Sequence, residues 1–441
     1  MSVLLRGSLV LLASFIFVAI IAYQALTKKS VTKRAYTFLL LASTLFPFLD
    51  LGIMVGTTGI KVMNIGAIAY LIFNLRPLIK VAKQYYLAII YFAILVFTSL
   101  MSELKVESLM SIPGKLIGVI IFLAAIITFN GLDEKNRLQL FAKYMKTPIY
   151  VIIFFGLVQI FIDLRFSLFY NVWDRELRIS SCFVDPQTAA CSIGMLSLYL
   201  WNRYLNKRNT KTLVMMLLLL AIGLNTGSKA FFIGTLLGIL ASFIFTRKKS
   251  IFSIVIIIVG FLLIATQDYW GDMLIFERLS NTEGSMDFRR EHFWMGAIEI
   301  FQNNWFTGIG SGVFRSYLEK HNIPMTHGDG VDTYYASQPE SGYLLWLDEL
   351  GIFSIIYIII MLYFILKKNG NNHINLSIIV PWFIAFVSVY NFISCMLIYI
   401  LLMMCAMMVL QTKNKTKKAT PAHSHNLSPA VQNRGIMRPH Y

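Results

Sequence analysis

Between Asp268 and Glu340 the chain gathers eleven of its 22 acidic residues and three of its seven histidines, against only five Lys and Arg. Carboxylates and imidazoles collected in one polar stretch are the groups that move protons to and from a reacting partner, and imidazole titrates in the useful range. Glu340 closes the stretch, with His327 and His321 upstream of it as alternative bases, while Arg289 and Arg290 stand together near its middle. Arg165, Arg175, Arg178, Asp185 and Lys229 lie at the edges of apolar runs elsewhere. Charges bordering a membrane core are costly, so their clustering on one side marks a site.

The rest of the chain must be the scaffold for these residues. Of 441 residues 57% are hydrophobic and 14% charged, and the mean hydropathy is +0.66, outside the range of soluble domains. The expected fold class is an all-α polytopic membrane protein. A net charge of +17 raises the question of nucleic acid, but the basic excess sits in short connections between apolar runs, a positive-inside pattern rather than a phosphate groove. Cys182, Cys191, Cys395 and Cys405 show neither paired spacing nor CxxC, so they read as packing residues, and no metal site or cofactor is expected.

A helix needs about 17 to 20 apolar residues to cross a bilayer. The runs that qualify are 8–26, 35–55, 59–75, 85–101, 114–129, 147–163, 186–203, 212–227, 229–245, 250–266, 341–366, 374–391 and 393–410, which predicts twelve to fourteen spans. The first is followed by Lys28 and Lys29 instead of a cleavage site, so it reads as a retained helix. Alternate connections are basic (Lys28–Arg34, Arg76–Lys83, Lys135–Lys146, Arg203–Lys211, Arg247–Lys249, Lys367–Lys368), and they orient the chain with these loops in the cytoplasm. That assigns spans 1–10 to residues 1–266, an external loop to 267–340, spans 11–13 to 341–410 and a disordered basic cytoplasmic tail to 411–441.

Within the loop, Ser285 or Asp287 can cap a helix from Phe288 to about Gln302, with Trp294, Ile298 and Phe301 on one apolar stripe and Arg289, His292, Gly296 and Glu299 on another face. Gly308, Gly310 and Gly312 then form a GIGSG turn, read as a hinge; without a preceding strand it is a weak phosphate-binding motif.

Arg289, Trp294, Ala297, Phe301, Asn304, Gly308, Gly310 and Phe314, then Glu340-Ser-Gly-Tyr-Leu and Glu349-Leu-Gly351, resemble the large periplasmic loop of the O-antigen ligase and polymerase superfamily. Arg178 to Pro186 resembles that family's arginine-led segment before a mid-chain helix, and Thr226-Gly-Ser-Lys229 its Thr-Gly-Ser-Arg turn. The resemblance spans about residues 165 to 355. It implies a metal-independent membrane enzyme of the bacterial inner membrane whose site faces the periplasm. Its substrate would be an undecaprenyl-diphosphate-linked glycan in a lipid bilayer, with a chain-length regulator protein as a further candidate partner and no nucleic acid. Ligases carry a His-Asn or His-Ser pair where this chain has Glu340-Ser341, and Lys229 replaces the arginine of the turn. The resemblance therefore favours a repeat-unit polymerase, with a ligase onto lipid A-core as the alternative.

Glycosyl transfer of that kind needs cations for the diphosphate, which guanidinium grips in a planar fork and ammonium as a point charge. Arg178, Lys229 and Arg289 are the candidates, with Arg290, Arg175 and Arg165 in reserve. It also needs a base for the acceptor hydroxyl, first Glu340, then His327 or His321. Tyr343 and Asp348, inside the following helix, are candidate substrate contacts. A lipid transporter would also be polytopic and basic inside, but it more often shows charges at mid-helix and two symmetric halves, which this sequence lacks.

Overall fold

Apolar runs of membrane length satisfy their backbone polar groups internally only as helices. The computed structural model describes residues 3–55, 58–169, 178–245, 251–265, 293–323, 335, 338–369, 377–387 and 394–410, and these fold into sixteen α-helices and one short hairpin. Helices α1 to α10 are Val3–Leu26, Val31–Thr44, Val62–Gln84, Leu87–Met101, Lys105–Phe129, Glu134–Phe161, Pro186–Lys207, Thr210–Leu224, Lys229–Phe245 and Ile251–Ala265. Helices α11 to α16 are Met295–Asn303, Phe314–His321, Gly342–Leu350, Ile352–Asn369, Val380–Ala385 and Cys395–Leu410. Among the described residues, α1, α3, α5 and α6 each contain a stretch long and apolar enough to cross a membrane, and several others are shorter apolar helices. The protein is an all-α membrane fold, as its composition requires.

Some elements depart from the sequence pattern. The run 35–55 stops as α-helix at Thr44, where Pro47 enters a 3-10 turn, Phe46–Phe48. The chain then forms an antiparallel hairpin, β1 (Gly52–Val55) with β2 (Thr58–Lys61), which pairs Gly52 with Lys61. Helix α5 starts at Lys105, well ahead of the apolar run, and places Ser108, Ser111 and Lys115 on one side at i, i+3 and i+7. The run 341–366 is two helices, because Gly351 at φ 58, ψ −146 breaks it between α13 and α14.

The core centres on α7, buried along nearly its whole length and packed against α8, α9, α15 and α16. Asp185 starts it: one carboxylate oxygen accepts from the Gln187 and Thr188 amides at 2.9 and 2.8 Å, and Pro186 follows where a missing N–H costs nothing. Helix α16 is closed by opposite charges. Buried Asp50 accepts from Ser394 Oγ and the Cys395 amide, both at 2.7 Å, and from Lys61 Nζ at 2.9 Å. At the other end Arg137 Nη1 donates to the Leu410 carbonyl at 2.5 Å. Both charges oppose the helix dipole.

Candidate active site

Segment 178–185 is held in place from two sides. Gln159 on α6 accepts the Ser181 amide at 2.7 Å and donates to the Phe166 carbonyl at 3.0 Å, while Ser181 itself takes a left-handed conformation, φ 52. Phe183 is fully buried, edge-on to Phe46. At the head of the segment Arg178 Nε donates to the Thr226 carbonyl at 2.8 Å, and the Ile179 amide to the Asn225 carbonyl at 3.2 Å. Thr226 opens the turn into α9: Gly227 supplies a positive φ, and Ser228 Oγ accepts the Phe231 amide at 3.3 Å, so Lys229 is the first helical residue. Arg178 and Lys229 therefore flank one turn at one helix N-terminus, where dipole and side chains both favour an anion.

Glu340 is tied to the bundle through α15. That helix packs along α9 and α7, and a Cβ placed on Gly238 would stand 3.0 Å from the Ser377 carbonyl oxygen. The Phe386 carbonyl accepts the Gly342 amide at 2.9 Å. Ser341 caps α13 through Leu344, and Glu340, half-buried and at φ 55, is the residue just before that cap.

The other expected residues fall differently. Tyr343 is committed to packing: its hydroxyl donates to the Phe383 carbonyl at 3.0 Å and its ring meets Phe386 edge-on. His321 ends α12, exposed, with Nε2 3.2 Å from Glu103 and its ring against Tyr317, so it faces the α4–α5 connection. Lys320 Nζ lies 2.7 Å from the same Glu103 carboxylate, and this contact, before His321, holds that carboxyl below the usual range. Asp348 is fully buried, with no hydrogen-bond partner on either oxygen among the described residues. His327, Arg175, Arg289 and Arg290 lie outside the described residues, as does the start of the helix expected from Phe288. Of that helix α11 is described, and its buried stripe is Phe293, Ala297 and Ile300; the expected stripe was one residue off, leaving Ile298 39% exposed.

The glycine turn is clamped, which corrects its reading as a hinge. The Gly308 amide donates to the Asn304 carbonyl, Gly310 to the Glu349 carbonyl and Gly312 to Glu349 Oε1 at 2.9 Å, so these three N–H groups already have partners. Ser102 Oγ donates to the Ile309 carbonyl and Ser111 Oγ to the Ser311 carbonyl, and Lys115 Nζ pairs with Glu349 Oε2 at 2.9 Å. Sequence reasoning missed Ser102, Ser111 and Lys115, although the spacing of Ser108, Ser111 and Lys115 signalled a polar face on α5.

Below α13 lies an apolar cavity of about 150 Å³, walled by Tyr91, Phe122, Trp346, Trp382 and Phe383, with Lys115 at its edge. Residues 213–359 match the family model described as O-antigen ligase, a stretch that runs from α8 into α14 and includes both the Thr226–Lys229 turn and the Glu340–Gly351 junction. No curated protein matches the chain.

Proposed function

We propose that this chain, a multi-pass member of the O-antigen ligase and polymerase superfamily by its residues 213–359, polymerises undecaprenyl-diphosphate-linked oligosaccharide repeat units by glycosyl transfer. The observation that supports the reading is the bond from Arg178 Nε to the Thr226 carbonyl, which sets Arg178 beside the turn that leads into Lys229 at the head of α9. In this mechanism Arg178 and Lys229, joined by Arg289, hold the donor diphosphate. The acceptor hydroxyl oxygen attacks the anomeric carbon, and the bond to the diphosphate breaks with its electron pair leaving on phosphate. Glu340 accepts the hydroxyl proton. The cations stabilise charge that grows on the leaving group, so their effect falls on the transfer step itself.

The Glu340-Ser341 pair, where ligases carry His-Asn or His-Ser, favours polymerisation; the family's description as a ligase favours transfer onto lipid A-core as the second reading. The alternation of basic connections supports a site on the outer side of the bacterial inner membrane. Reconstitution in lipid vesicles separates the two. With lipid-linked oligosaccharide alone, a polymerase extends chains beyond one repeat, whereas a ligase makes product only when lipid A-core is added. Turnover without a new glycosidic bond contradicts both.

A further inference from the structure

We infer that Glu349, together with Lys115, is a positioning residue for the transfer: the pair fixes α13, and thereby Glu340, against the membrane helices. The inference rests on the reading of Glu340 as the base. A helix leaves its last carbonyls unpaired, and here residues 304–312 supply the partners. The Ile309 amide donates to the Asp348 carbonyl at 2.8 Å, Gly310 to the Glu349 carbonyl at 3.1 Å, and the Ile352 amide to the Trp305 carbonyl at 2.8 Å. The approach is close enough that a Cβ on Gly308 would stand 2.5 Å from the Glu349 carbonyl carbon.

Among the described residues, the Glu349 side chain joins this wrap to the bundle through charge. Its Oε1 accepts the Gly312 amide and its Oε2 accepts Lys115 Nζ, both at 2.9 Å, so one buried carboxylate ties the turn to α5. Ser102 and Ser111 hold the opposite side of the turn to α4 and α5. Helix α13 is therefore anchored at its C-terminal end by Glu349 and at its N-terminal end by the Gly342–Phe386 bond. It spans nine residues, about 13 Å at 1.5 Å per residue. Without the Glu349 anchor the rod turns about the Gly342–Phe386 bond, which re-aims the Ser341 cap and Glu340 just ahead of it, and a misplacement of about 1 Å costs about 10²-fold in rate. Buried ion pairs add little net stability relative to well-packed apolar residues but do fix one geometry, which matches the role assigned here.

The test measures kcat and KM for chain growth by the purified full chain in vesicles, on undecaprenyl-diphosphate-linked oligosaccharide isolated from the producing cells. Glu349→Gln and Lys115→Met should each lower kcat about 10²-fold at unchanged KM. The double variant should be no slower than the worse single one, and Lys115→Arg should restore most of the rate. Arg315→Ala, which removes an exposed pair with Glu319 on α12, should leave kcat unchanged. If Glu349→Gln fails to assemble, Gly310→Ala displaces the turn without touching a charge, since φ is +102 and a Cβ would stand 2.6 Å from Ser102; it should show the same loss. Wild-type kcat in Lys115→Met or in Gly310→Ala, or a loss confined to KM, overturns the inference. Glu340→Gln run alongside separates the two ideas: full activity there removes the active-site reading, whereas an inactive Glu340→Gln beside a fully active Lys115→Met removes only the positioning role.

Discussion

Arg178 donates from Nε to the carbonyl of Thr226 at 2.8 Å, three residues before Lys229 at the head of α9. That bond uses one edge of the guanidinium to orient the rest of it. An ammonium cannot both keep the tie and present a fork, so Arg178→Lys should lose nearly as much transfer as Arg178→Ala, about 10²-fold. On the proposed reading Lys229 serves as a point charge, so Lys229→Arg should retain activity where Lys229→Ala does not. Polymer ladders at matched membrane levels measure this. Normal ladders from Arg178→Lys contradict the assignment.

Asp348 and Glu349 are adjacent carboxyls with opposite circumstances. Among the described residues Glu349 has two partners, and Asp348, fully buried, has none on either oxygen. An unpaired buried carboxyl is costly, and an amide of the same shape removes the cost of the charge. Asp348→Asn should therefore leave the melting temperature in detergent unchanged or raise it. Glu349→Gln should lower stability by about 1–3 kcal/mol, because Lys115 loses its counter-charge. A drop in Asp348→Asn larger than that in Glu349→Gln would show that Asp348 has a hidden partner.

Glu103, between α4 and α5, is held below the usual carboxylate range first by its hydrogen bond from Lys320, against a burial effect that raises it, and then by His321. A depressed folded-state value means the contact contributes above the unfolded carboxylate pKa and is lost as pH falls through the folded value. Hydrogen exchange in α12 should accordingly be pH-independent in protection near neutrality and rise in acid, and Glu103→Gln should remove that acid response. Both residues are substantially exposed, so the effect on global stability is small.

The helical membrane character and the turn at Thr226–Lys229 were legible because both follow from one-dimensional patterns: apolar length, and a Thr-Gly-Ser-Lys sequence after an apolar run. What was not legible depends on backbone conformation or long-range pairing. The run 341–366 carries no charge apart from Asp348 and Glu349, and the positive φ of Gly351 divides it. Helix α5 begins among Lys105 and Glu107, which read as loop charges until Ser108, Ser111 and Lys115 are seen to share a face turned to the glycine turn. That turn looks hinge-like in sequence because glycines permit many conformations; here their small size instead admits Ser102, Ser111 and the end of α13 to close contact. The α11 stripe keeps the expected 4,3 spacing but lies one residue earlier, at Phe293, Ala297 and Ile300, because the face that meets the rest of the fold is a matter of packing rather than of period.

The most direct test is chain growth in vesicles containing only lipid-linked oligosaccharide and either the wild-type chain or Glu340→Gln. The account predicts products several repeats long from the wild type without any second acceptor, and a rate at least about 10²-fold lower from Glu340→Gln, since the variant cannot take the acceptor's proton. Wild-type growth by Glu340→Gln, or product that appears only when a second acceptor is supplied, would contradict it.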